Sequence, residues 1–116
     1  MSQSKVLAAL PESIRLQSIS SREIVLPEIA ALEAVNFLEE RGFQILGWEG
    51  WVKAEDGSIG HGSAPQGTVS LEALSPAEAA DVCRTTIPQD AHAWRIEYPS
   101  TTDQLHFCLT VRANRE

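Results

Sequence analysis

Residues 47–62 read GWEGWVKAEDGSIGHG, and the fold turns on how this stretch is read. Two tryptophans, a histidine and five glycines in sixteen residues suit a ligand-gripping loop, a reactive site or a hairpin. Asp56-Gly57 favours the hairpin, because this dipeptide supplies the positive φ of a two-residue turn and is flanked by strand-like residues. In that register Glu55 faces Ser58, Ala54 faces Ile59 and Val52 faces His61. One face then carries Trp48, Val52, Ala54, Ile59 and His61. The other carries Glu49, Trp51, Lys53, Glu55 and Ser58. The glycines serve turns and backbone geometry, since no helix follows them to present N–H groups to a phosphate.

The strand leading into the turn, residues 43–55, is apolar at both parities. Phe43, Ile45 and Trp51 are odd, and Leu46, Trp48 and Val52 are even. That pattern predicts a strand covered on both faces. Before it, Arg22–Leu26 suits a short strand. Pro27 opens a helix, Glu28 complements its dipole, and Gly42 ends it as a left-handed cap. Ala30, Ala31, Ala34, Val35, Phe37 and Leu38 share one face of that helix. Glu28, Glu33, Asn36, Glu39 and Glu40 share the other. Ile29 and Leu32 fall on the acidic side, where either the N-terminal segment covers them or they form a contact patch, as in a homodimer. Pro11 interrupts any helix begun at Val6 and leaves a short turn of helix over residues 11–17.

Downstream, SAPQG turns the chain and TVSLEAL (68–74) suits another strand. Ser75, Pro76 and Glu78 form a capping box for a second helix, striped by Ala80, Cys83 and Ile87. The end suits a hairpin of AHAWRIEYP (91–99) and QLHFCLTVR (104–112). Its expected pairs are Tyr98 with Leu105, Ile96 with Phe107 and Trp94 with Leu109. Its reverse face would pair Glu97 with His106 and Arg95 with Cys108. The whole predicts one α+β domain over residues 1–116, with residues 1–20 as an N-terminal segment. A mostly antiparallel sheet of about five strands carries two main helices packed on it.

The net charge of −7 is concentrated in residues 1–90, while residues 91–116 balance. Such a surface repels phosphate backbones and argues against nucleic-acid binding, but attracts a basic protein. It also serves solubility. Two cysteines are too few for a disulfide scaffold and suit a reducing cytoplasm. No segment reads as a membrane span or a signal peptide.

Reactive chemistry is not evident. His61, His92, His106, Cys83 and Cys108 lack metal-ligand spacings, and neither nucleophile nor phosphate motifs occur. No metal, cofactor or catalytic residue is therefore expected. Glu49, between two tryptophans, is the one candidate for a carboxyl raised by desolvation. A small ligand-binding or enzymatic domain with a pocket near Trp48, Glu49 and His61 is the alternative reading. Trp51 beside Glu49, Lys53 and Glu55 has the composition of a protein-contact hot spot, or else packs in the interior.

The stretch ALEAVNFLEERGFQILGWEGWVK and the terminal LHFCLTVR together resemble immunity proteins of bacterial polymorphic toxin systems. The similar family is immunity protein 40, over residues 24–112. The shared pattern is a helix feeding an ILG strand with an acidic residue soon after, and a last strand bearing FC. Trp48 stands where the family pattern has a second glycine. The resemblance implies a cytoplasmic, non-enzymatic protein that binds and neutralises a cognate toxin domain with a basic surface. It points to Trp48, Glu49 and Trp51 as toxin-binding residues. The hairpin adds Glu55, Asp56 and His61.

Overall fold

Helix boundaries follow local chemistry. Ser75 accepts a hydrogen bond from the Glu78 N–H at 3.1 Å, and Glu78 accepts one from the Ser75 N–H at 3.0 Å. That reciprocal box opens the longest helix. The earlier helix closes at Gly42, whose φ of 77° only glycine adopts cheaply. Its N–H bonds to the Glu39 carbonyl and the Phe43 N–H to Leu38, a Schellman closure. Pro27 lies just outside this helix, as its cap.

In the computed structural model, residues 3–68 and 70–112 are described. Their elements are α1 (Gln3–Ala9), α2 (Glu12–Arg15), β1 (Ile24–Leu26), α3 (Glu28–Glu40), β2 (Gln44–Lys53), β3 (Ile59–Gly60), α4 (Pro76–Glu97) and β4 (Gln104–Arg112). The fold is α+β: one four-stranded antiparallel sheet, in the order β1-β4-β2-β3, with four helices among the described residues. Ion pairs join the start of α3 to the end of α4 (Glu28–Arg95) and the end of α3 to its first half (Glu39–Arg84), so the two helices run antiparallel.

The core lies between these helices and one sheet face. Ile24 and Leu26 of β1, Phe107, Leu109 and Val111 of β4, and Ile45 and Trp48 of β2 are buried there. They meet Ala30, Ala31, Ala34 and Leu38 of α3 and Ala80, Cys83, Ile87 and Ala91 of α4. Small alanines let the helices approach closely, and each large side chain buried here contributes about 1.5–3 kcal/mol. Val6, Leu7, Leu10 and Ile14 extend the same core. The N-terminal segment therefore packs as two short helices on either side of Pro11. It leaves Ile29 uncovered at 75% exposure, while Leu32 is half-buried.

Two one-residue irregularities set the faces of β2 and its return arm. Ile45 pairs with Val111 but Gly47 with Thr110, so Leu46 is an extra residue. The bulge lets Ile45 and Trp48, three positions apart, both face the helices. This accounts for the mixed parity of Ile45 and Trp48, while Trp51 stays on the opposite face. At the turn, the Gly57 N–H bonds to the Ala54 carbonyl at 2.9 Å and the Ala54 N–H to the Ser58 carbonyl at 2.8 Å. With Gly57 at φ 92°, this is a three-residue loop, and Lys53 pairs with Ile59. Relative to the expected two-residue loop, the register slips by one and reverses the return arm. His61 therefore moves to the face of Trp51.

The expected terminal hairpin does not form. α4 runs through Pro88 to Glu97, because Cys83, Ile87, Ala91 and Trp94 continue its buried stripe at helical spacing. Pro88 removes only one helical hydrogen bond, and burial along the stripe outweighs that loss. β4 pairs instead with β1 and β2, so His106 faces Trp51 rather than Glu97, and Cys108 faces Glu49 rather than Arg95. Of the expected strand TVSLEAL, Thr68 makes a single bridge to Trp48, and Ser70 has a φ of 67°, which ends extended backbone. Val69 lies outside the described residues. Four strands thus replace the five expected.

Candidate functional site

The helices cover one face of the sheet. On the opposite face, alternation from the bulge onward places Glu49, Trp51 and Lys53 of β2 beside Cys108, His106 and Gln104 of β4. Trp51 is half-buried, with its ring edge-on to His61 at 5.5 Å between centroids. His61 is fixed by its own hydrogen bond: the Gly50 carbonyl can only accept, so Nδ1–H donates to it at 3.2 Å. The Trp51 indole N–H is removed from solvent and has no acceptor. A buried donor left unpaired costs about 1–3 kcal/mol.

Beside Trp51, His106 is 5% exposed and donates Nδ1–H to the Gln104 carbonyl at 3.1 Å. Burial holds its pKa below the usual imidazole range. The Gln104 hydrogen bond opposes that shift, and Lys53 adds to it. Next along, the Cys108 thiol lies 4.0 Å from the Glu23 carboxylate. Burial, then Glu23 and Glu49, push its pKa up to about 12, so it is a poor nucleophile. Cys83, in the core, is pushed up to about 11 by burial.

Glu49 borders two hollows. One, of about 270 Å³, is lined by Gly47, Ser70, Glu72 and Thr110. The other, of about 410 Å³, is lined by His61, Ala64, Pro65 and Gln66. Among the described residues, Glu23, Glu49, Glu55, Asp56 and Glu72 have no ion pair. Asp56 sits at the hairpin tip, where the Ser58 N–H and hydroxyl hold its carboxyl below the usual carboxylate range. Glu55, next to it, is exposed.

The candidate residues thus divide. Glu49, Trp51 and His61 come together on the face away from the helices, and Glu55 and Asp56 sit at the end of the same arm. Trp48 drops out of that surface. It is 1% exposed on the helix side, edge-on to Phe107 and donating Nε1–H to Thr86 Oγ1 at 2.9 Å. A single pocket holding Trp48, Glu49 and His61 is not formed, since Trp48 and His61 lie on opposite sides of the sheet. Sequence reasoning did not place His106, Glu23 or Glu72 here. The only available signal for His106 was its alternation with Phe107, and its partner strand was misassigned. Glu23 and Glu72 carried no signal, because they arrive through loops.

No three histidine, cysteine or acidic side chains among the described residues group as a metal site, and no helix among them is long and apolar enough to cross a membrane. Comparison with models of protein families, with curated proteins and with solved structures finds no match to this chain.

Proposed function

We propose that this is a binding protein of the immunity kind, which captures a bacterial toxin domain in the cytoplasm and blocks it without catalysing a reaction. One observation carries the reading: a partly exposed tryptophan that shares a strand face with the unpaired Glu49, on the side of the sheet away from the helices. Aromatic anchors ringed by polar groups concentrate binding energy in protein interfaces. Carboxylates without internal partners favour a basic surface and speed its approach. The resemblance to immunity protein 40 supports the same reading.

The test is protection. The chain is co-expressed with candidate toxin domains encoded beside it, and growth and direct binding are measured. Rescue of growth with a Kd in the nanomolar range is the expected result. A chain that neither rescues nor binds any of them is not an immunity protein.

A further inference from the structure

The sheet edges show how such a partner would dock. Strand addition needs a row of unpaired backbone N–H and C=O groups along an edge. On β1, Val25 donates its N–H to Ser18 Oγ at 3.1 Å and accepts from the Ile19 N–H at 3.0 Å. Along β2, Trp48 exchanges two hydrogen bonds with Thr68, and the Leu46 carbonyl accepts from the Leu71 N–H. Gly50 donates to the Pro65 carbonyl and accepts from His61. At the end of β4, the Gln3 carboxamide does a strand's work, donating to the Val111 carbonyl at 2.7 Å and accepting from its N–H at 3.0 Å. β3 is two residues long.

The seal on β2 is close-fitting. A Cβ on Gly67 would stand 2.1 Å from the Trp48 carbonyl oxygen, and one on Gly50 would stand 2.5 Å from that of Pro65. Trp94 of α4 fastens the same loop by donating its indole N–H to Ser63 Oγ at 3.0 Å.

We infer that the partner is a basic folded domain that packs against the partly exposed strip of Glu49, Trp51 and Lys53 on β2 and is gripped by side chains, not an extended segment that adds a strand. This rests on the binding reading above and names its mode. Glu49 and Glu72, across the Gly47 hollow, meet arginine or lysine side chains of the partner. Trp51 supplies the apolar anchor through the exposed part of its ring. Lys53, on the same face, sets the limit of the acidic area toward the hairpin tip.

The experiment is a ¹⁵N NMR titration of the full chain with the peptide acetyl-Ala-Arg-Ala-Arg-Ala-amide, and with its backbone N-methylated twin. Face docking predicts shifts at the Trp51 indole and around residues 47–53, 72 and 110, with similar affinity for both peptides. E49Q combined with E72Q should weaken binding about fivefold, roughly the loss of two exposed charge contacts. Loss of binding on N-methylation would show strand addition and overturn the inference. So would shifts confined to Glu33 and Glu40 of α3, or no shifts at all. Growth protection is read separately. A folded W51A/E49Q/E72Q variant that still protects keeps the immunity function and removes this surface from it.

Discussion

The two sides of the molecule both carry acids and use them differently. On the helix side, three acids are paired with arginines within the fold. Arg84 meets Glu39 at 2.8 Å and Asp81 at 2.6 Å and donates to Asn36, while Arg95 meets Glu28 at 2.6 Å. The remaining acids of α3, Glu33 and Glu40, stand on an exposed stripe between exposed neighbours. On the sheet side, Glu23, Glu49 and Glu72 have no ion pair, and Glu49 shares a strand face with Trp51. Charge on the helix side helps hold α3 to α4, whereas the sheet-side carboxylates have no ion pair among the described residues and are the ones the proposed docking would use. The two tryptophans of β2 make the same contrast. Trp48 has its Phe107 neighbour and its Thr86 acceptor, whereas Trp51 has a ring neighbour and no acceptor.

The contrast breaks most visibly if Trp48 and Trp51 respond alike to truncation. Trp48→Ala should cost about 3–5 kcal/mol of stability, read from the urea midpoint, because it opens a core cavity. Gly67→Ala should cost about 2–3 kcal/mol, since a φ of 89° and the Trp48 carbonyl both oppose a side chain there. Trp51→Ala should leave the fold intact but weaken the proposed toxin complex by about 2 kcal/mol, roughly thirtyfold in Kd by calorimetry. If binding is unchanged, Trp51 belongs with the fold and not with the surface. Arg84→Ala should do the reverse, losing about 1 kcal/mol of stability or less without altering binding.

The smallest effect expected is on pH dependence. His106 has a lowered pKa when folded, so the unfolded chain takes up its proton first as the pH falls. Stability from this residue is complete above the unfolded value of about 6.5 and declines as the pH drops toward the folded value. Unfolding midpoints at pH 7.5 and 5.5 should differ in that direction, and His106→Gln should flatten the difference. A midpoint that rises on acidification would mean that His106 is not desolvated in the fold.

Elements governed by neighbouring residues were legible. Ser75-Pro76 with Glu78 announced α4, Gly42 announced the end of α3, and the apolar run of residues 104–112 announced β4. The errors came where a local signal competed with a distant one. A strand was expected over residues 91–99, yet the stripe continuing through Ala91 and Trp94 buries enough surface to carry the helix through Pro88 to Glu97. Asp56-Gly57 marked the turn, but not whether its loop holds two residues or three, and one residue is enough to move His61 across the sheet. The candidate site was legible in part for the same reason. Glu49 and Trp51 share a face by simple alternation, whereas His106 joins them only through a pairing between strands more than fifty residues apart.

Sequence alone determined where α3 and α4 begin, where the chain turns, which side chains must leave water, and that the surface is acidic. These follow from backbone preferences and hydrophobicity, which act over a few residues. Tertiary structure alone decided which face each tryptophan occupies, which acids are neutralised by arginines, and that the sheet edges are sealed. Those outcomes depend on strand register and on contacts between distant segments, where a shift of a single residue exchanges inside for outside.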